Sequence, residues 1–136
     1  MLHQDYLVRM FLQLASAMRE SILKAKGDND AQAAAELLDA ALINATEIDG
    51  SLLLTLAPES MAVMLQLSES DPRLMGYMAR SLLLSSHYWR EAGYNEQAAL
   101  RADQAQAVAQ AFGFELDALA LEPEELERFF AQTMPH

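Results

Sequence analysis

Apolar side chains recur at every third or fourth position through most of this chain, and no run alternates apolar and polar residues for the length of a strand. A period near 3.6 residues places side chains on one face of a helix, whereas a half-buried strand needs a period of two. Between residues 3 and 26, one face collects Leu7, Met10, Leu14, Ala17 and Ile22. Between residues 72 and 92, the side expected to be buried collects Leu74, Met78, Leu82, Ser85 and Trp89. The pattern predicts helices throughout.

The residue types favour the same fold class. The chain has 136 residues, of which 24 are Ala and 23 are Leu, but only three are Val and three are Ile. Ala and Leu lose little side-chain freedom in a helix, whereas β-branched residues are the usual strand formers. We therefore predict an all-α fold of antiparallel helix pairs, with about six to seven helices.

Glycine and proline mark the expected helix boundaries. Glycines after periodic segments are typical helix ends, and prolines suit the first helical turn because their missing N–H needs no partner there. Asp28 or Asp30 is the expected cap of the second helix, and Asp71 caps the helix that starts at Pro72. The expected helices cover approximately residues 3–26, 31–46, 51–56, 58–68, 72–92 and 95–112, with a last helix from Pro123. We expect that last helix to dock on the core through Leu126, Phe129 and Phe130. No linker-like stretch divides the chain, so we expect one domain over residues 1–136.

Charge and cysteine content exclude several classes of function. Nine Lys and Arg against 20 Asp and Glu give a net charge of −11. Clustered cations drive phosphate binding, so we expect neither nucleic acid nor an anionic membrane surface as a partner. No segment has the roughly 20 mostly apolar residues of a membrane span. The chain has no cysteine, which is compatible with a reducing interior, and we expect a cytoplasmic location.

The second long helix pair resembles a tetratricopeptide motif, in which a large residue, a small residue at the helix crossing, an aromatic residue, a glycine turn and further small residues follow in order. The residues that carry the resemblance are Leu82, Ser85, Ser86, Trp89, Gly93, Glu96, Ala98, Ala102 and Ala105. The first pair matches at Gly27, Ala34, Leu38, Ala41 and Leu42. Ala34 and Ala98 lie 64 positions apart, whereas two strict repeats would separate them by about 68. An ordinary helical bundle with glycine turns and alanine ridges is the alternative.

The opening segment from Gln4 to Met10, followed by these helix pairs, resembles a family of small, uncharacterised, tetratricopeptide-like bacterial proteins. The likeness would cover the whole chain. It implies a tetratricopeptide-like helical array and no established activity, so no functional residue is transferred from it.

The sequence offers no catalytic or metal-binding constellation that we would assign. Serines occur outside nucleophile-elbow motifs, no glycine-rich phosphate loop is present, and no histidine pattern matches a zinc or di-iron site. His87 and Glu91 lie four positions apart on one helical face, but Arg73 and Arg80 share that face and would repel a metal cation. We interpret the pair as a local salt bridge, and we expect no cofactor, no metal and no enzymatic activity.

One stripe of the helix at 72–92 is a candidate partner-binding surface. It consists of Arg73, Tyr77, Arg80, Leu84 and His87. In a tetratricopeptide-like array the first helix of each pair lines the concave surface, where a positive stripe would hold an acidic peptide or a carboxylate. The alternative is that the stripe is solvated, or is covered by the acidic tail that begins at Glu115.

These observations favour a non-catalytic interaction or scaffold module, whose partner is another protein, a peptide or a second copy of the chain. Two alternatives remain open. One is a small anionic ligand binder or enzyme that uses a cavity between helices near Tyr77, Arg80 and His87. The other is a homodimer with a structural role, which an exposed apolar patch of a few hundred Å² would favour.

Overall fold

The computed structural model describes the backbone of residues 2–46 and 49–135, and the side chains of residues 5–46 and 49–135. Over these residues the chain forms seven α-helices, one short 3-10 helix and no strand, so the predicted all-α class is confirmed. The helices are α1 (Leu2–Gly27), α2 (Ala31–Ile43), α3 (Gly50–Leu53), α4 (Pro58–Leu67), α5 (Pro72–Glu91), α6 (Asn95–Ala111) and α7 (Pro123–Thr133), and the 3-10 helix spans Ala118–Leu121.

Local chemistry explains where the helices begin. The Asp30 carboxylate accepts a hydrogen bond of 3.0 Å from the backbone N–H of Ala33, and Asp71 accepts one of 2.9 Å from that of Arg73. Both bonds satisfy donors that a helix start would otherwise leave unpaired. Prolines stand in the first turns of α4, α5 and α7, as the sequence predicts.

The region after α2 departs from the sequence prediction. α2 ends at Ile43 rather than near residue 46, and Asn44 closes it with its side-chain amide bonded to the carbonyl of Ala40. The sequence predicts that Asp49 and Gly50 end the first helix pair, whereas in the structure Asp49 caps the short α3. Glycine at position 50 lets the chain pass close to the end of α2, because a Cβ there would overlap the backbone of Ile43.

Helix α5 is the centre of the fold. It packs against α1, α2 and α6, while α1 also packs on α2 and α4 packs on α6. Ser86 on α5 bonds to the carbonyl of Ala98 on α6, so α6 runs back along α5. Alanines in these contacts are buried, including Ala34, Ala35, Ala98 and Ala105, and small side chains let helices approach closely. This is compatible with the tetratricopeptide-like arrangement, which stays a prediction.

A buried polar network joins the two helix pairs. Arg101 on α6 forms an ion pair with Asp39 on α2, with an Nε–Oδ1 distance of 3.2 Å. Asp39 also accepts hydrogen bonds from Ser85 and Trp89 of α5. Arg101 further donates to the carbonyl of Leu54 and to Gln104. Because every member has a partner, the network stabilises the arrangement of these helices and offers no free group for chemistry.

Candidate functional site

The predicted binding stripe on α5 is not one open surface. Tyr77 is fully buried, Leu84 is 3% exposed, and Arg80 is half-buried. Arg73 and His87 alone among the five are exposed. The expectation of a continuous stripe is therefore corrected. The stripe is interrupted because other helices pack around α5, and because the C-terminal helix α7 covers the middle of α5.

Helix α7 docks through one amphipathic face. Leu126, Phe129, Phe130 and Thr133 lie at positions i, i+3, i+4 and i+7, the spacing by which one helix face enters a groove. Leu126 and Phe130 are buried at 1% and 2% exposure. The sequence predicts that Leu126, Phe129 and Phe130 dock on the core, and this is confirmed. We call the surface beneath them the α7-binding face, defined by Arg19 of α1 and Gly76, Tyr77 and Arg80 of α5.

Tyr77 is the aromatic centre of this face. Its ring lies 4.7 Å from that of Phe11, 5.0 Å from that of Phe129 and 5.3 Å from that of Phe130, measured between centroids. Its hydroxyl lies 2.8 Å from the hydroxyl oxygen of Thr133. Burial raises the pKa of Tyr77 above its ordinary value. The ring therefore packs while its polar end is satisfied by α7 itself.

Arg80 stacks on Phe129 instead of pairing with a carboxylate. Its guanidinium carbon lies 3.6 Å from the Phe129 ring centroid, and its Nη1 donates to the carbonyl of Gly76 at 3.0 Å. Its buried Nε has no hydrogen-bond partner among the described residues. Burial lowers the pKa of Arg80. A cation over an aromatic face is attracted by the ring quadrupole, which offsets part of that desolvation.

Gly76 makes room for the same phenylalanine. A Cβ at this position would lie 3.1 Å from Cζ of Phe129, closer than ordinary van der Waals contact. Glycine in a helix interior costs about 1 kcal/mol relative to alanine. The sequence alone leaves open whether this glycine serves a close approach, and the structure shows that it does.

Arg19 provides the charged contact. Its Nε and Nη2 donate to the two carboxylate oxygens of Glu127 at 2.7 Å and 2.9 Å, and its guanidinium lies 4.9 Å from the Phe130 ring. These hydrogen bonds lower the pKa of Glu127 below its ordinary value. Arg19 was not identified from the sequence, because no local spacing relates it to a residue 108 positions away.

The two exposed stripe residues are engaged locally. Arg73 forms an ion pair with Asp71 at 2.9 Å, and His87 Nε2 lies 3.0 Å from Glu91, as the four-residue spacing predicts. Within the described residues no group of three or more His, Cys, Asp and Glu is arranged to hold a metal ion. Partner binding by Arg73 or His87 stays a prediction.

The proposed cavity near Tyr77, Arg80 and His87 has no room beside the first two residues. Phe129 and Thr133 of α7 occupy the space over them. His87 lies about two helical turns beyond Arg80. A separate cleft of about 210 Å³ lies where α7 meets α1, with Ile22, Leu23 and Leu126 among its lining residues. The small-ligand alternative therefore loses its geometric basis at the predicted position.

None of the described helices is both long and apolar enough to cross a membrane. The resemblance to tetratricopeptide-like proteins rests on the sequence pattern of the helix pairs and the opening segment alone. Comparison with known protein families, with curated proteins and with solved structures finds no match for this chain.

Proposed function

We propose that this protein is a non-catalytic interaction module that recognises an amphipathic helix on its α7-binding face. The observation that carries the proposal is the seating of α7 there through side chains at i, i+3, i+4 and i+7. That spacing is the anchor pattern by which helices are recognised in grooves. In the resting chain α7 occupies the face, and a partner helix takes its place.

The face specifies the chemistry of the partner. Tyr77 and Arg80 favour aromatic anchors, because α7 meets them with Phe129 and Phe130. Arg19 favours a carboxylate one position after the first anchor, where α7 has Glu127. A partner helix with aromatic anchors and an acidic rim would satisfy both demands. We therefore interpret the acidic C-terminal tail, which covers Tyr77 and Arg80 of the predicted stripe, as a ligand that the chain itself supplies.

The tethered helix sets the strength of competition. A segment joined by a short linker has an effective concentration on the order of millimolar. A free helix of equal intrinsic affinity therefore binds the wild-type chain weakly, and binds better when the contacts of α7 are weakened.

We also propose that the module works in the cytoplasm, since a chain without cysteine needs no oxidising compartment.

A crossed charge reversal tests this function. Glu127→Arg and Arg19→Glu each place like charges across the α7 contact in the full-length chain, and so loosen α7. Two labelled peptides of residues 122–135, one of wild-type sequence and one with Glu127→Arg, are titrated against both variant chains, with fluorescence anisotropy as the readout. We expect the wild-type peptide to bind the Glu127→Arg chain about fivefold or more tightly than the Arg19→Glu chain. The charge-reversed peptide should show the opposite order.

The same titrations contain their own control. The Glu127→Arg chain is less negative than wild type, and the Arg19→Glu chain is more negative. If overall charge alone determined affinity, both peptides would prefer the same chain. Opposite preferences of the two peptides therefore indicate a contact with residue 19. Peptide binding that ignores residue 19, or no binding to either loosened chain, would refute the proposed function. Light scattering distinguishes exchange of α7 between two copies, which doubles the mass, from binding of the added peptide.

A further inference from the structure

Helix α4 carries an exposed apolar surface on the outer side of the fold. Val63, Met64 and Leu67 are 50%, 39% and 74% exposed, whereas Met61 and Leu65 of the same helix are fully buried. Val63 and Leu67 lie one helical turn apart on the same face, with Met64 beside them. We call these three residues the α4 patch. An apolar group of this kind on a surface helix marks a place where another molecule binds more often than an isolated exposed leucine does.

Acidic residues flank the α4 patch along the chain, and the segment that carries the patch has no cation. Glu59 lies one turn before Val63 on the same face, and Glu69 follows Leu67 by two positions. No Lys or Arg occurs anywhere between residues 27 and 72. Helix α6, on which α4 packs, exposes Glu96 and Asp103, while its single cation, Arg101, is 4% exposed and paired with Asp39.

We propose that the α4 patch binds a basic amphipathic helix of a different protein. Apolar side chains of that helix would cover Val63, Met64 and Leu67, and its Lys or Arg side chains would meet the carboxylates at the two ends of the patch. Complementary charges fix the register and speed association, and like charges suppress wrong partners. A second copy of this chain is a poor occupant, because it would place one acidic rim against another with no cation to pair them. This surface is independent of the α7-binding face.

A model peptide tests the proposal with the full chain. The probe is an amphipathic peptide with Leu on one helical face and Lys on the other, and the counter-probe has Glu in place of Lys. Binding is measured by fluorescence anisotropy near physiological salt, where weak long-range attraction is screened. Wild type is compared with the double variant Val63→Gln plus Leu67→Gln, which removes apolar surface and leaves every charge in place.

The chain offers a matched control at Leu119. This residue is 71% exposed and stands among carboxylates, since Asp117 and Glu122 flank it. Leu119→Gln therefore makes the same change as the Leu67→Gln half of the double variant, in another acidic place outside the α4 patch. Glu59→Gln reports the contribution of the rim. All four side chains are exposed, so circular dichroism melts of the variants should match that of wild type.

The expected result is that the Leu–Lys peptide binds wild type, that the double variant loses about tenfold or more in affinity, and that Leu119→Gln changes it little. Glu59→Gln should weaken binding by a smaller factor, and the Leu–Glu peptide should not bind. The proposal is overturned if the Leu–Lys peptide does not bind, if the double variant binds as wild type does, or if Leu119→Gln loses as much. It is also overturned if light scattering finds a dimer that the double variant converts to monomers.

Discussion

The Asp39 carboxylate accepts hydrogen bonds from three side chains on two other helices. Ser85 donates at 2.7 Å and Trp89 at 3.1 Å from α5, and Arg101 donates through Nε and Nη2, each at 3.2 Å, from α6. Arg101 is buried, so its charge depends on this one carboxylate for compensation. Removing one member of a buried ion pair costs more than the pair itself contributes, because the other charge stays buried without a partner.

We predict that Asp39→Asn lowers the free energy of unfolding by about 3 kcal/mol or more. The substitution keeps the shape of the side chain and removes its charge. Glu36→Gln, on the exposed face of the same helix, is the control and should change stability by less than about 0.5 kcal/mol. Urea denaturation measures both. Equal effects of the two substitutions would mean that the network does not hold the helix pairs together.

Helical periodicity predicts part of this network and misses the rest. It assigns Ser85 and Trp89 to the buried side of their helix, with Leu74, Met78 and Leu82, and the structure confirms this. Asp39 and Arg101 were not identified. Arg101 lies three positions after Ala98 and four before Ala105, so a charge on an apolar ridge was the available signal. Its partner is 62 positions away, and no spacing within one sequence relates the two residues.

Helix α7 is the element whose docking the sequence predicts only in part. Pro123 opens it and its apolar side chains pack on the core, as the amphipathic pattern indicates. The surface that receives it depends on Arg19 and Tyr77, which belong to helices far away in the chain. The predicted stripe placed Tyr77 and Arg80 facing outward because a helical projection shows which residues share a face, and not which other element covers that face.

Acid should loosen α7. The hydrogen bonds from Arg19 hold the pKa of Glu127 below its ordinary value, so the ionised form favours the docked state. This contribution is present above the pKa of the undocked carboxyl, near 4.5, and is lost as the pH falls through the lower pKa of the docked one. NMR chemical shifts of the Phe130 ring, followed from pH 6 downward, should move towards undocked values in this acidic window. Glu127→Gln should flatten that response, and an unchanged response in this variant would assign the effect to another group.

Gly76 and Phe129 should be thermodynamically coupled. Alanine at position 76 gains about 1 kcal/mol of helix propensity, but its Cβ would meet the ring at 3.1 Å. We expect Gly76→Ala to stabilise a Phe129→Ala chain by about this amount and to stabilise wild type by less. A double-mutant cycle from urea denaturation measures the difference. Equal effects in both backgrounds would show that the ring does not rest on this glycine.

At the scale of the whole molecule, acidic residues outnumber basic ones by 20 to nine, and several of the cations pair with carboxylates of the same chain. Arg101 is buried with Asp39, Arg19 pairs with Glu127, and Arg73 pairs with Asp71. The net charge of −11 remains after every such pair is counted, and repulsion among the excess carboxylates weakens a compact state. Composition alone predicts this property, and the expectation that polyanions are not partners rests on the same charge and stays a prediction. It does not predict where the acidic surface lies, since that depends on which cations the fold buries.

Salt should stabilise the protein. Raising the ionic strength from about 0.01 M to about 0.15 M shortens the screening length from about 30 Å to about 8 Å, so repulsion between exposed carboxylates declines. We expect the midpoint of urea unfolding at pH 7 to rise over this range. A falling midpoint would mean that attractive surface pairs such as Arg19 with Glu127 outweigh the net repulsion.

The most direct test of the α7-binding face is an isotope-filtered NOE measurement between the chain and a free α7 helix. The labelled full-length Glu127→Arg chain is mixed with an unlabelled wild-type peptide of residues 122–135. We predict intermolecular NOEs from the Tyr77 ring to both peptide phenylalanine rings, which in cis lie at centroid distances of 5.0 Å and 5.3 Å. A peptide that binds and gives its NOEs at other residues, with none to Tyr77, would contradict the assignment of this face as a helix-binding site.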